Sequence, residues 1–302
     1  SRKVESQKVE SRKVIKLSIC IVTLNAERVI QNCLDSIPSA LGDFPFEIII
    51  VDNASKDGTI SLIQNHHLDI KLIQNKKNDG YTTPMNQALQ WAKGDYLLQL
   101  NPDVVLSKGV LDGLINYAEN NVKIGLCEPK VCHEDGSFQK STRRGLARPW
   151  AVFTYFTGLN RLFPNDARFT EYQLNHLDEN KIHQVHGISG TCMLTKRAVF
   201  DEIGYLDERF FAYQEDSDFC IRAEKAGWEI HYNPNFFVTH FTGQGGSDSV
   251  SFLANFEWHR SYYRYYRKHF SQDYFSGFNA FYYSLMMLKC VFSAIKLSII
   301  KS

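Results

Sequence analysis

Residues 211–222 read FAYQEDSDFCIR, which places Glu215, Asp216 and Asp218 within four positions, beside Phe210, Phe211 and Phe219. Carboxylates are seldom buried without partners, and like charges this close oppose each other's ionisation. An acid so placed can be pushed towards a neutral pKa, which suits a group that takes a proton from a hydroxyl. The plainer reading is a helix N-terminus carrying acids that complement its dipole. That accounts for Asp218, which can pair with Arg222 at i+4. It does not account for the aromatic flank FFAY or for the tryptophan of AGWEI. Other polar residues recur where apolar runs stop: Thr23 and Asn25, Asp52 and Asn53, Asn101 and Asp103.

The elements that carry these residues follow from the pattern of the chain. KLSICIVTLN, FEIIIVDNAS, IKLIQN and GDYLLQLNPD are short, nearly continuous apolar runs. Helical segments lie between them, around 27–37, 57–66 and 83–94. Such alternation predicts an α/β fold with a mostly parallel sheet covered on both faces. Ligands of such sheets bind at the carboxyl ends of the strands, where the polar residues collect. A dinucleotide-binding domain would need a glycine-rich turn after the first strand. That turn is TLNAE, so the dehydrogenase reading fails. Residues 107–120 predict a further helix with Ser107 as N-cap. Residues 133–180 have weak periodicity and read as a partly helical excursion, and the chain from 250 onward reads as helical.

The 302 residues suffice for a substantial core, and their net charge of +1 hides an uneven distribution. Residues 1–16 carry six Lys/Arg against two Glu, and residues 258–302 seven against one Asp, so the body between is acidic. Basic ends on an acidic body do not suit duplex nucleic acid, which wants one broad positive face; no nucleic-acid partner is expected. They do suit anionic lipid headgroups. The seven cysteines are scattered without a C-x-x-C pair, against both a disulfide framework and a structural zinc and in favour of a reducing cytoplasm. No N-terminal stretch resembles a signal peptide. Residues 1–15 read as a basic tail, 16–257 as the main domain and 258–302 as a C-terminal helical region.

Six motifs in order, SICIVTLNAE, IIIVDNASKDGT, NDGYTTPMNQAL, YLLQLNPDVVL, GISGTCMLTKRAVFDEIGYLDERFFAYQEDSDFCIRAEKAGW and VTHFTGQGGS, resemble glycosyltransferase family 2, nearest its bacterial rhamnosyltransferase-like members. The resemblance covers roughly residues 17–270. It implies the GT-A fold, a nucleotide-diphosphate sugar donor (dTDP- or UDP-linked), a divalent cation (Mg²⁺ or Mn²⁺) and inversion at the anomeric carbon. It makes Asp216 the general base, with Glu215, Asp218 and Arg222 supporting the acceptor side. Asp52 matches the residue that accepts a hydrogen bond from a pyrimidine. Thr23, Asn25, Asn53, Asn78, Asn86 and Asp103 complete the nucleotide-sugar set. Asp103 and His240 match the metal ligands, and the Gly-rich stretch after His240 reads as a loop over the phosphates. Two departures stand out: Asn101 replaces the first carboxylate of the family's Asp-x-Asp element, and Thr82, Thr83 and Pro84 replace small residues after Gly80. A catalytically impaired nucleotide-sugar- or glycan-binding subunit is therefore the competing reading, with a nucleotidyltransferase behind it.

FYYSLMMLKCVFSAIKLSII is apolar over the length of a membrane span but is interrupted by Lys289 and Lys296, with Ser293 on the same face. This pattern reads as an interfacial helix with snorkelling lysines; packing on the domain or in a homodimer, or true spanning, are the alternatives. A peripheral position on the inner face of the cell membrane would suit the acceptor implied by the resemblance, a glycan or a polyprenyl-linked glycan.

Overall fold

The computed structural model describes residues 15–241 and 252–301. The basic tail up to residue 14 and the Gly-rich stretch at 243–247 lie outside them.

The strands are β1 (Leu17–Thr23), β2 (Phe46–Asp52), β3 (Ile70–Gln74), β4 (Tyr96–Leu100), β5 (Val104–Leu106), β6 (Ile124–Cys132), β7 (Arg143–Arg144), β8 (His183–Gln184), β9 (Gly187–Ile188), β10 (Cys192–Lys196) and β11 (Glu229–His240). Among the described residues the main sheet runs β3-β2-β1-β4-β10-β6-β11-β5, with β8 added to β11 and with β7 pairing β9 apart from it. β1 to β4 are mutually parallel, β10 lies antiparallel between β4 and β6, and β11 runs parallel to β6. β1 and β2 are apolar almost throughout because both their faces are covered. Their order reverses between β1 and β4, the switch point outside which ligands of such sheets bind.

The helices are α1 (Ile30–Ala40), α2 (Thr59–Gln64), α3 (Thr82–Trp91), α4 (Val110–Glu119), α5 (Pro149–Phe156), α6 (Leu159–Leu162), α7 (Ala167–Thr170), α8 (Arg197–Ile203), α9 (Glu215–Lys225), α10 (Phe252–His269) and α11 (Ser276–Lys301). α1 and α4 pack Leu34, Ile37, Leu111 and Leu114 on one face of the sheet. α3, α8 and α9 pack Met85, Leu89, Phe200 and Phe219 on the other. A third cluster joins α10 and α11 to Phe210 and Ile221 through Tyr262, Tyr265, Tyr266 and Tyr282.

Two expectations, the cap of the 107–120 helix and the snorkelling lysine, change in detail. Ser107 is not the cap of α4; Gly109 is, at φ 71°, a left-handed conformation that a glycine adopts at no steric cost. β11, within WEIHYNPNFFVTHF, is one continuous strand whose register to β6 shifts between Asn233 and Phe237, around Pro234. Lys289 does not snorkel to water. Its Nζ lies 3.8 Å from the ring centre of Phe156 and 4.4 Å from that of Trp258, and burial lowers its pKa to about 8.

Candidate active site

At the carboxyl end of β2, Asp52 is fully buried. One oxygen accepts the Ser55 amide at 2.9 Å; the other accepts Thr23 Oγ1 at 2.9 Å and Ser55 Oγ at 2.5 Å. A carboxylate has about four acceptor positions, so one is left for a ligand donor. Asn25 closes the same turn, taking the Lys56 amide on its side-chain oxygen at 2.8 Å. The amide of Asn53 donates to Asn78 Oδ1 at 2.8 Å and to the Gly80 carbonyl at 2.6 Å, which fixes the 78–80 loop over the β2 end. Gly80 cannot be replaced there: at φ +84°, a Cβ would stand 2.2 Å from the Phe211 carbonyl oxygen. That same carbonyl accepts the Tyr81 amide at 2.7 Å, so the loop is tied to the segment leading into α9. Asn86 braces α3 by trading hydrogen bonds with the Leu206 backbone at 2.9 and 3.1 Å. Both ends of its amide are thereby engaged.

Asp103 and His240 meet. β11 pairs antiparallel with β5 in a register that sets His240 opposite Val104, and His240 Nε2 lies 3.1 Å from Asp103 Oδ1. Both side chains are almost fully buried. Gln139 Oε1 lies 2.8 Å from His240 Nδ1, which as a donor there leaves Nε2 to face the carboxylate. Metal-binding histidines are characteristically oriented through the other ring nitrogen in this way. An oxygen and a nitrogen ligand converging at one point, with a second partner fixing the tautomer, fit a divalent cation that completes its shell from phosphate and water. Gln139 carries no signal in the sequence because it lies in the aperiodic 133–180 segment.

The acidic motif divides into three different environments. Asp216, at the start of α9, accepts Arg144 Nη1 at 3.0 Å and the Ser217 amide at 2.7 Å on one oxygen, and the Gly190 amide at 3.3 Å on the other. The 189–191 loop that offers Gly190 also accepts the Asn101 amide on its Thr191 carbonyl at 3.0 Å. It therefore spans from the NPD element to the acidic motif. Beneath it, Glu128 on β6 is fully buried and accepts Ser189 Oγ at 2.6 Å. Burial pushes the Glu128 carboxyl well above the ordinary range, against the smaller opposing pull of Ser189. Neither Arg144 nor Glu128 was evident from sequence, since neither belongs to a recognisable run.

Glu215 is buried beside Asp216 with Oε2 unpartnered, and burial together with Asp216 repulsion pushes its pKa up to about 8. In the unfolded chain it ionises near 4.5. Between those values unfolding releases a proton, so this group costs stability as pH rises from 4.5 to 8. Glu215→Gln, which cannot ionise, is expected to flatten that loss and to melt higher relative to wild type at pH 8 than at pH 5. Thermal melts by circular dichroism across this window check it; parallel curves for the two proteins would refute the assignment.

Asp218 faces away from this chemistry. Fully buried, it binds Arg222 Nε at 2.9 Å, Lys268 Nζ at 2.5 Å and His269 Nε2 at 2.7 Å. Arg222 also donates to the Ile203 and Tyr205 carbonyls. The i+4 pair anticipated from sequence is present, yet the two residues expected to support the acceptor clamp α9 to α10 and to the α8 end instead.

Backbone strain marks the same places. Among the described residues Asn25, Ala54, Leu174, Tyr213 and Gln214 are the non-glycine residues with positive φ. Four of these flank β1, β2 or the acidic motif, where stored strain commonly accompanies function.

The model of glycosyl transferase family 2 matches residues 18–204, and a related family-group model matches 140–299. The chain belongs to glycosyl transferase family 2. An N-acetylglucosaminyl-diphospho-decaprenol L-rhamnosyltransferase of Mycobacterium tuberculosis is 29% identical over 253 residues, covering 79% of this chain and 80% of the relative. S. aureus TarS 1–349 in complex with UDP superposes with a TM-score of 0.53 at 19% identity, over 82% of this chain and 65% of that one. A mannosyltransferase from Pyrobaculum calidifontis in complex with GDP-Man and Mn²⁺ gives 0.54 at 17% identity, over 84% and 63%. The chain thus spans slightly under two thirds of either solved chain. The fold of this family 2 member is GT-A, with C-terminal helices appended, and it is a rhamnosyltransferase-like glycosyltransferase.

Proposed function

We propose that this glycosyltransferase transfers L-rhamnose from dTDP-L-rhamnose to a hydroxyl of a polyprenyl-linked glycan, inverting the anomeric carbon. The observation that supports this most is the 189–191 loop, which grips Asn101 on the donor side and Asp216 on the other. In this reading Asp216 takes the proton of the acceptor hydroxyl as its oxygen bonds to the anomeric carbon. The bond from that carbon to the nucleoside diphosphate breaks in the same displacement, so no covalent intermediate with the protein is needed. Asp52 accepts a hydrogen bond from the pyrimidine through its remaining acceptor position. Thr23, Asn25, Asn53 and Asn78 shape that pocket. Asp103 and His240 would hold Mg²⁺ or Mn²⁺, which when bound neutralises charge on the departing diphosphate. The M. tuberculosis relative, by its name a rhamnosyltransferase for a decaprenol-linked sugar, supports the sugar and the lipid-linked acceptor. That acceptor would place the protein on the cytoplasmic face of the membrane.

The test is release of nucleoside diphosphate from dTDP-L-rhamnose, UDP-glucose, UDP-galactose and UDP-N-acetylglucosamine, each with Mg²⁺ or Mn²⁺. Turnover of dTDP-L-rhamnose, abolished by chelator, is expected. A UDP-hexose turned over in its place would reassign the donor. Binding of a donor without turnover, even with lipid-linked acceptors supplied, would favour a nucleotide-sugar-binding subunit, the alternative raised by Asn101.

A further inference from the structure

Two segments far apart in sequence leave large apolar side chains exposed. On α11, Met287 is 70% and Phe292 67% exposed, and only 6% of the apolar window of this helix is buried. In the 149–163 excursion Trp150, Phe153 and Phe163 are each about half exposed. The two segments meet. Phe156 of α5 stands edge-on to Trp258 of α10 at 6.0 Å, and Lys289 of α11 lies over both rings. Neither segment has an acidic residue: 149–165 contains Arg161, and 276–301 contains Lys289, Lys296 and Lys301. Just past these bounds Asp166 is neutralised by its ion pair with Arg168, so the apolar, aromatic surface is net positive, which complements an anionic bilayer. It does not suit a two-fold contact with a second copy, which would set its cations near one another.

The surface also lies close to the acidic motif. Arg144, the Asp216 partner, precedes Trp150 by six residues, a reach of at most about 22 Å even fully extended. We infer that α5, α6 and α11 form one docking surface for an anionic lipid bilayer, the excursion acting as an aromatic wedge beside the acceptor side of the site. The word acceptor here rests on the proposed role of Asp216; the docking itself does not.

Flotation of the full chain with phosphatidylcholine vesicles, with and without phosphatidylglycerol, tests this. The full chain should float with phosphatidylglycerol vesicles. The triple variant Trp150→Glu/Phe153→Glu/Phe163→Glu, with α11 untouched, should lose at least about tenfold in vesicle affinity, since each side chain contributes through its buried apolar area. Its slow release of nucleoside diphosphate in solution and its melting temperature should stay at wild-type values, which shows that it folds. Unchanged flotation of the variant would confine membrane contact to α11 and overturn the shared surface. A wild-type chain that ignores vesicles but dimerises, with the variant monomeric, would assign the face to a second copy. Absent turnover with vesicle binding intact would fault the reading of Asp216 and leave the surface standing.

Discussion

Asp216→Asn is expected to lower kcat by about 10²–10⁴-fold, the range over which a positioned general base contributes. Asparagine keeps the shape, and its one carbonyl oxygen can still accept from Arg144 and the Ser217 amide. Only the longer 3.3 Å contact from the Gly190 amide to the other oxygen is lost, and Asn101 keeps its own bond to the Thr191 carbonyl, so the donor pocket should hold. The affinity for the nucleoside diphosphate, measured by calorimetry, should therefore be within a few-fold of wild type. This split separates a base from a strut, because a residue that merely holds the 189–191 loop would, when changed, loosen donor binding as well through Asn101. Near-wild-type kcat in Asp216→Asn would remove Asp216 from the chemistry. Glu215 would then be the next carboxylate to test, although its neutral form near pH 7 suits it better to donating a hydrogen bond than to taking a proton.

Much of this architecture is legible in sequence, because parallel strands buried on both faces read as continuous apolar runs and leave their polar residues at the carboxyl end. Thr23, Asp52, Asn53 and Asp103 stand where that rule puts them. Asp103 and His240, 137 positions apart in the chain, were paired by resemblance rather than by any local pattern, and the register of β11 on β5 joins them. The misses share a cause. Arg144, Gln139 and Glu128 reach the site from the aperiodic excursion or from a strand interior, where one polar residue among many has no spacing to betray it. Within QEDSD, adjacency suggested shared work. On a helix successive residues point about 100° apart, so Asp216 and Asp218 look towards different neighbours, and only the fold says which.

Asp218→Ala should destabilise the protein by about 3–5 kcal/mol, the usual cost of removing one partner from a buried charge cluster. The reason is what it would abandon: Arg222, Lys268 and His269 all converge on this one fully buried carboxylate. For a chain this size that corresponds to a fall in Tm of roughly 10 °C. The pH dependence follows from the same contacts. Burial works to raise the Asp218 pKa, but the His269 and Lys268 hydrogen bonds, the Lys268 charge and Arg222 outweigh it and hold the pKa below the usual carboxylate range. A depressed carboxylate stabilises above its unfolded pKa and loses that contribution as pH falls through the folded value. Wild type should therefore lose stability below about pH 4, and the variant should lose less over the same interval. Because Lys268 and His269 end α10, the variant should also free the α10–α11 hairpin before the sheet, seen as faster amide exchange in 252–301 than in β1 or β4. Uniform exchange across the chain would mean that the tyrosine cluster of Tyr262, Tyr266 and Tyr282, not this ion cluster, holds the C-terminal helices to the catalytic domain.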